Sequence, residues 1–193
     1  MRVKREKIGD TAAVKGTMVV AHLEWARQRM PDLAKSIVPR LDAGQQALVT
    51  GTVLATEWVP LKALVALDRA IAAALGGDAD GVWRDMGRHS ACVNLAGVYK
   101  SYVAGEPHRF FEKQARLHER FQSFGRASYE RTAERAGRIR LDDYTDYSPV
   151  YCASAVGFYQ GALETMHVPG PIRVAESECT CAGDAACVFD LGW

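Results

Sequence analysis

Apolar residues recur at helical spacing through most of the chain and switch to strand-like alternation only late. Residues 12–29 and 31–39 read as two short helices, the second opening on Pro31-Asp32, a good first-turn pair. From 57 to 75, Leu64, Leu67, Ile71, Ala74 and Leu75 form one apolar stripe that Gly76-Gly77 ends. Between 80 and 103 the set Cys92, Leu95, Ala96, Tyr99, Tyr102 and Val103 repeats at helical spacing. A further helix over about 107–122 carries Phe110, Phe111, Leu117 and Phe121. The period then changes, and 127–133 and 138–141 read as strands around Ala136-Gly137. A last helix begins at Ser148-Pro149 and runs to about His167, and a β-hairpin closes the chain. Helices gathered ahead of strands predict an α+β fold, helices packed against an antiparallel β-sheet, in a single domain over 1–193.

The helix over 148–166 is nearly apolar all round, which predicts central burial. Ala153, Gly157, Gly161 and Thr165 form a stripe of small residues on it. Two glycines inside a helix cost about 1 kcal/mol each relative to alanine, so close approach of a neighbouring element is the expected compensation. The opposite stripe, Val156, Tyr159, Leu163 and Met166, either packs as plain core or lines a cavity.

The terminal hairpin carries the candidate chemistry. Alternation puts Ile172, Val174 and Glu176 on one face of its first strand, and Cys187, Phe189 and Leu191 on one face of its second. If these faces mark the core, Glu176 points inward, and an inward carboxylate is costly unless something pairs with it. A divalent cation held by thiolates would do so. Glu176 and Cys179 lie three apart, Cys187 follows across an Ala-Gly-Asp turn, and Cys152 stands near the start of the preceding helix. Three cysteines and a glutamate fill the four ligand positions of a structural zinc site. Buried free thiols and a disulfide or redox switch are the competing readings. Cys181 either replaces Cys179 as a ligand or lies spare on the turn.

The pattern of glutamate, cysteine, Gly-Asp turn, cysteine and apolar strand resembles the C-terminal signature of the 4-vinyl reductase domain. That domain belongs to a ligand-binding superfamily that includes haem nitric-oxide sensors and vesicle-tethering subunits of Golgi transport complexes. The resemblance extends to the sensor domains of phenol-responsive transcription activators, and it implies zinc on Cys152, Glu176, Cys179 and Cys187. It also implies a small apolar ligand between helices and sheet, and pairing of the domain. The whole chain, with Lys15-Gly-Thr-Met-Val-Val near its start, resembles a paralogous family of uncharacterised bacterial proteins of this length.

Composition narrows the alternatives. A hydrophobic fraction of 48% with 24% charged residues is ordinary for a folded domain, and a net charge of +1 gives no global pull toward nucleic acid or anionic membrane. The richest apolar stretch, 61–75, is broken by Lys62, Asp68 and Arg69, so no membrane span is expected. The charged N-terminus lacks an apolar region behind it, and a cytoplasmic location is the expectation. Nine arginines and lysines against four glutamates over 109–140 read as a solvated helix face and sheet, without nucleic-acid contact. His22, His89, His108, His118 and His167 show no metal-ligand spacing, and surface or capping roles are expected for each. Phosphate-loop, dinucleotide, nucleophile-elbow and zinc-protease motifs are all missing, and a site with three thiolates and a carboxylate leaves no open position for catalysis.

The sequence therefore predicts a non-catalytic, zinc-stabilised sensor or regulatory domain for an apolar or aromatic ligand, acting as a homodimer. The small-residue stripe and apolar helices offer the self-complementary surface. With the chain ending at Trp193, a separate signalling partner is expected. The ligand pocket is placed beside the last helix, lined by Tyr99, Phe110, Val156, Tyr159 and Val174. An interaction scaffold like the tethering subunits is the alternative: a cavity above roughly 300 Å³ favours the binder and a filled core the scaffold.

Overall fold

The computed structural model describes residues 4–97, 99–102 and 106–193. A short strand β1 (Ala13–Lys15) leads into helix α1 (Gly16–Arg29), followed by α2 (Leu33–Ile37) and α3 (Ala43–Thr50). Strand β2 (Trp58–Pro60) pairs with β1 and runs straight into α4 (Leu61–Leu75), and α5 (Ala79–Ala96) comes next. Helix α6 (Pro107–Arg116) precedes the hairpin β3 (Arg126–Ala133) and β4 (Ala136–Asp142). Helix α7 (Pro149–Thr165) and the hairpin β5 (Arg173–Glu178) and β6 (Cys187–Gly192) complete the chain. The main sheet is antiparallel, in the order β3-β4-β6-β5. The architecture is α+β, as the periodicity predicts.

Helix α7 is the spine. It packs along α5 over the most extensive helix–helix interface of the fold and meets β5 and β6 on its other side. Its small residues explain the first contact. Gly157 sits so close to the Arg84 carbonyl that an added Cβ would lie 1.8 Å from that oxygen, and Gly87 of α5 meets the Ser154 carbonyl in the same way at 1.9 Å. The stripe is thus consumed inside the molecule by α5. It offers no surface to a second copy, and that argument for a dimer is withdrawn.

Several local expectations shift. The stretch before Gly16 is extended because β1 pairs with β2, a long-range contact that overrides helical spacing. Helix α3 was invisible to the apolar pattern: of its residues only Val49 is buried, and its start is set by a capping box between Asp42 and Gln45. The helix expected to reach 103 stops at Ala96, with Gly97 as its cap, and Val103 lies outside the described residues. Leu75, placed on the core stripe, is 36% exposed because it occupies the last turn of α4, past the edge of the core. Among the described residues, no helix is long and apolar enough to cross a membrane.

Candidate metal centre and ligand cavity

The terminal hairpin pairs Glu176 with Phe189 and Val174 with Leu191, so Glu176 is on the inner face, over the start of α7. A bulge between Glu176 and Glu178 ends the regular pairing and throws the chain into the turn 179–184. Gly183, at φ +96°, supplies the left-handed residue the turn requires. The Asp184 carboxylate accepts the Cys179 amide at 2.9 Å, and the Thr180 amide donates to Cys187 Sγ at 3.4 Å. Helix α7 contributes Cys152 from its first turn.

This arrangement brings the ligand atoms of Cys152, Glu176, Cys179 and Cys187 within 4.8 Å of one another. Cys152 Sγ stands 3.9 Å from Cys187 Sγ and 4.0 Å from Cys179 Sγ. A tetrahedral ion with zinc–sulfur bonds of about 2.3 Å sets its sulfurs about 3.8 Å apart, so these edges have the dimension of a zinc tetrahedron. One Glu176 oxygen pairs with Lys4 Nζ at 2.9 Å, and the other is buried with no hydrogen-bond partner among the described residues. An orphaned carboxylate oxygen beside three thiols is what a cation ligand looks like without its ion. Burial pushes the Glu176 carboxyl up to about 7 against the pull of Lys4. Hydrogen bonds from Cys152, Cys181 and Cys187 hold the Cys179 thiol far below the usual range, and the same bond to Cys179 pushes Cys152 well above it. The donor set and spacing suit zinc. Cys181 is buried, with Sγ 3.8 Å from Cys152, but stands outside the mutually close quartet.

A second feature, a cavity beside α7, was legible only in part. Helices α1, α5, α6 and α7 leave a cavity of about 110 Å³ between them. Tyr99, Phe110 and Tyr159 line it, while Val156 and Val174 open instead onto a separate cleft beside Glu176. The five residues assigned to one pocket do not surround a common space, and that assignment is corrected. The reason is rotational: at about 100° per residue, Val156 stands some 140° round α7 from Tyr151, whereas Ser154, Ala155 and Phe158 flank Tyr151 and line the cavity. Val174 lies on the far side of α7, on strand β5. The volume is below the roughly 300 Å³ set for a drug-sized ligand, and the core is not filled either. A dry apolar cavity of about 150 Å³ is known to take up benzene, so the space has the scale of a single small ring.

The histidines also need correction, since three are buried. His22 on α1 faces Asp68 on α4, with Nδ1 at 3.0 and 3.1 Å from the two carboxylate oxygens. Burial raises the Asp68 carboxyl, partly offset by His22. His108 accepts from the Tyr129 hydroxyl at Nδ1, 2.7 Å, and donates from Nε2 to the Glu134 carbonyl, 2.8 Å. His118 donates from Nε2 to the Phe124 carbonyl at 3.0 Å, and burial lowers its pKa. The usable signal was the buried face of α1, where His22 follows Val19 by three and precedes Ala26 by four.

No family model matches the sequence, and no curated protein matches it. Solved structures of H-NOX domains do match its fold. One, from a study of haem distortion in the H-NOX family, is 15% identical over 93% of this chain and 94% of its own, with a TM-score of 0.69. An H-NOX protein from S. oneidensis in its Fe(II)NO ligation state is 12% identical over 92% and 97%, also at 0.69. An oxygen-binding H-NOX domain related to soluble guanylate cyclases is 15% identical over 92% of each chain, at 0.66. The chain shares the H-NOX fold along nearly its whole length. At such identities the likeness is one of fold alone.

The residues present do not fit haem. A macrocycle of roughly forty heavy atoms needs a pocket well within the ~300–1,000 Å³ range of ligand sites, and the cavity holds about 110 Å³. Of the two histidines on its wall, His118 is engaged at Nε2 by the Phe124 carbonyl and His22 at Nδ1 by Asp68, so the misfit to haem is one of volume.

Proposed function

We propose that this chain is a non-catalytic small-molecule-binding domain of the sensor type, with its terminal hairpin pinned to α7 by a structural zinc ion. Cys152, Glu176, Cys179 and Cys187 would hold the ion, which supplies charge neutralisation and a cross-link between helix and hairpin. Within the shared fold, this quartet supports the 4-vinyl reductase branch over the haem-binding one. The ligand is compact and largely apolar, and it occupies the cavity between α1, α5, α6 and α7. The observation that carries this reading is the cavity itself: an unfilled space walled by apolar side chains, with a few buried polar groups converging on it. The named neighbours bind small molecules, oxygen in one case and nitric oxide on Fe(II) in another. A homodimer belongs to the reading through the 4-vinyl reductase resemblance.

The second reading, an interaction scaffold, draws on the cavity's modest volume. Native mass spectrometry of protein purified from its own host decides between them. One zinc per chain, a co-purified small molecule and a mass of twice 21.1 kDa are expected. Zinc without any bound molecule, together with no uptake of small-ring probes, favours the scaffold.

A further inference from the structure

We propose that Lys4 is a positioning residue of the metal centre, delivered by an N-terminal strap whose docking is coupled to metal occupancy; the proposal rests on the quartet holding zinc. The strap, residues 4–9, joins the turn 179–184 to the segment that opens α7. The Arg5 amide donates to the Cys181 carbonyl at 2.7 Å, and Lys7 and Tyr147 exchange both backbone hydrogen bonds, at 3.0 and 2.7 Å. Glu6 takes the Arg69 guanidinium on its two oxygens, at 3.0 and 2.7 Å, and accepts the hydroxyl of Ser148, the residue that caps α7. The Gly9 amide donates to the Asp146 carboxylate at 2.5 Å. At the other end of the strap, Lys4 Nζ stands 2.9 Å from a Glu176 oxygen.

What holds this strap is polar. Residues 4–7 are all exposed, and of the stretch 4–9 only Ile8 packs against the hydrophobic core. Exposed ion pairs and hydrogen bonds are individually weak, so the strap belongs to the least stable part of the fold. Its docking therefore responds to the gain or loss of a single anchor, and one of its anchors is a metal ligand.

The centre needs that anchor for its charge. Three thiolates and a carboxylate outweigh a divalent ion, leaving a net negative site among cysteines that are buried. Buried charge is costly unless paired. The Thr180 amide answers part of it at Cys187 Sγ, and Lys4 answers it at Glu176. Arg84, the other cation lining the cleft beside Glu176, is turned to Asp80 at 3.7 Å. By occupying one carboxylate oxygen, the Lys4 ammonium fixes the orientation of Glu176 and leaves the buried second oxygen to the ion. Outer partners of ligating carboxylates act in this way. The coupling is reciprocal: a docked strap tightens zinc by the same factor by which zinc tightens the strap.

The test measures the zinc affinity of the full chain by competition with a chromogenic chelator. Lys4→Met should weaken it about tenfold, the lower end of what losing an outer partner costs, because the Lys4 side chain is 40% exposed. Lys4→Arg should restore most of the affinity, since a guanidinium also pairs with a carboxylate. Glu6→Gln undoes the Arg69 pair without touching a metal ligand. It should weaken zinc in the same direction by a smaller factor, and add little once residue 4 is Met. Wild-type affinity in Lys4→Met, or no recovery in Lys4→Arg, overturns the role of Lys4. Wild-type affinity in Glu6→Gln, or independent losses that multiply in the double variant, overturns the coupling through the strap. If Lys4→Met does not fold, Glu6→Gln decides alone, weaker zinc binding supporting the proposal and wild-type binding overturning it. A wild type that takes up no zinc overturns the centre itself, a result seen before any substitution is made.

Discussion

Gly157→Ala is the substitution on which the spine of this fold can be judged. In an exposed helix it would stabilise by about 1 kcal/mol. Here the added Cβ would lie 1.8 Å from the Arg84 carbonyl oxygen, against 3.4 Å for ordinary contact, a shortfall of about 1.6 Å. The obstacle is backbone, so no side-chain rotation relieves it. Helix α7 must move away from α5, loosening the Gly87–Ser154 and Gly161–Arg88 contacts along the same line. Overpacking of this kind costs about 1–3 kcal/mol and occasionally more. A backbone clash of this size belongs at the upper end, about 3 kcal/mol; with the helical gain of about 1 kcal/mol subtracted, a net loss of about 2 kcal/mol is expected, or about 4–8 °C in Tm for a chain of this size. The displacement also carries Cys152, five residues earlier, away from sulfurs now 3.9 and 4.0 Å distant, so zinc should be released faster to a chromogenic chelator. Gly44→Ala is the control, because the nearest atom to its added Cβ is 3.5 Å away, and it should leave Tm unchanged or raise it slightly. An unchanged or raised Tm for Gly157→Ala, with zinc release unaltered, would refute the α5–α7 packing argument.

Other outcomes follow from the site. X-ray absorption on the purified protein should show three sulfurs near 2.3 Å and one light ligand at about 2.0–2.2 Å; less than half an equivalent of zinc with every thiol reactive would count against the centre. Cys187→Ser should lower Tm strongly and Cys92→Ser, half-buried on α5, only slightly; equal effects would argue against a structural ion. In zinc-free protein the Glu176 carboxyl is pushed up from 4.5 to about 7 by burial, so the folded state prefers it protonated, and stability should fall between those pH values. Glu176→Gln should flatten that loss, and identical denaturation profiles for the two zinc-free proteins would show that the group does not titrate this way. Ala155→Phe should block uptake of cyclopentanone, a small-ring probe, because Ala155 lines the cavity, whereas Val156→Ala should not; the reverse order in a binding titration would move the site to the cleft beside Glu176.

What the sequence determined by itself is chiefly what local geometry controls. The terminal hairpin was legible because its inner face follows from a period of two, and Glu176, Cys179 and Cys187 lie on one continuous turn whose form Gly183 and Asp184 set. Helix α7 was legible because an all-apolar helix has nowhere to go but the interior, and its glycines required a close neighbour. Only the tertiary structure decided which neighbour. Once α5 took the small-residue stripe, the rotation of α7 was set, Cys152 was delivered to the hairpin, and Val156 was turned away from the cavity. The cavity's full lining and its buried pair belong to that second kind of information. His22 and Asp68 are 46 residues apart on separate helices, and each alone looks like a polar residue of an amphipathic surface. Periodicity says which side of a helix is buried, but the meeting of two buried polar groups depends on how four helices cross, and no local pattern records that.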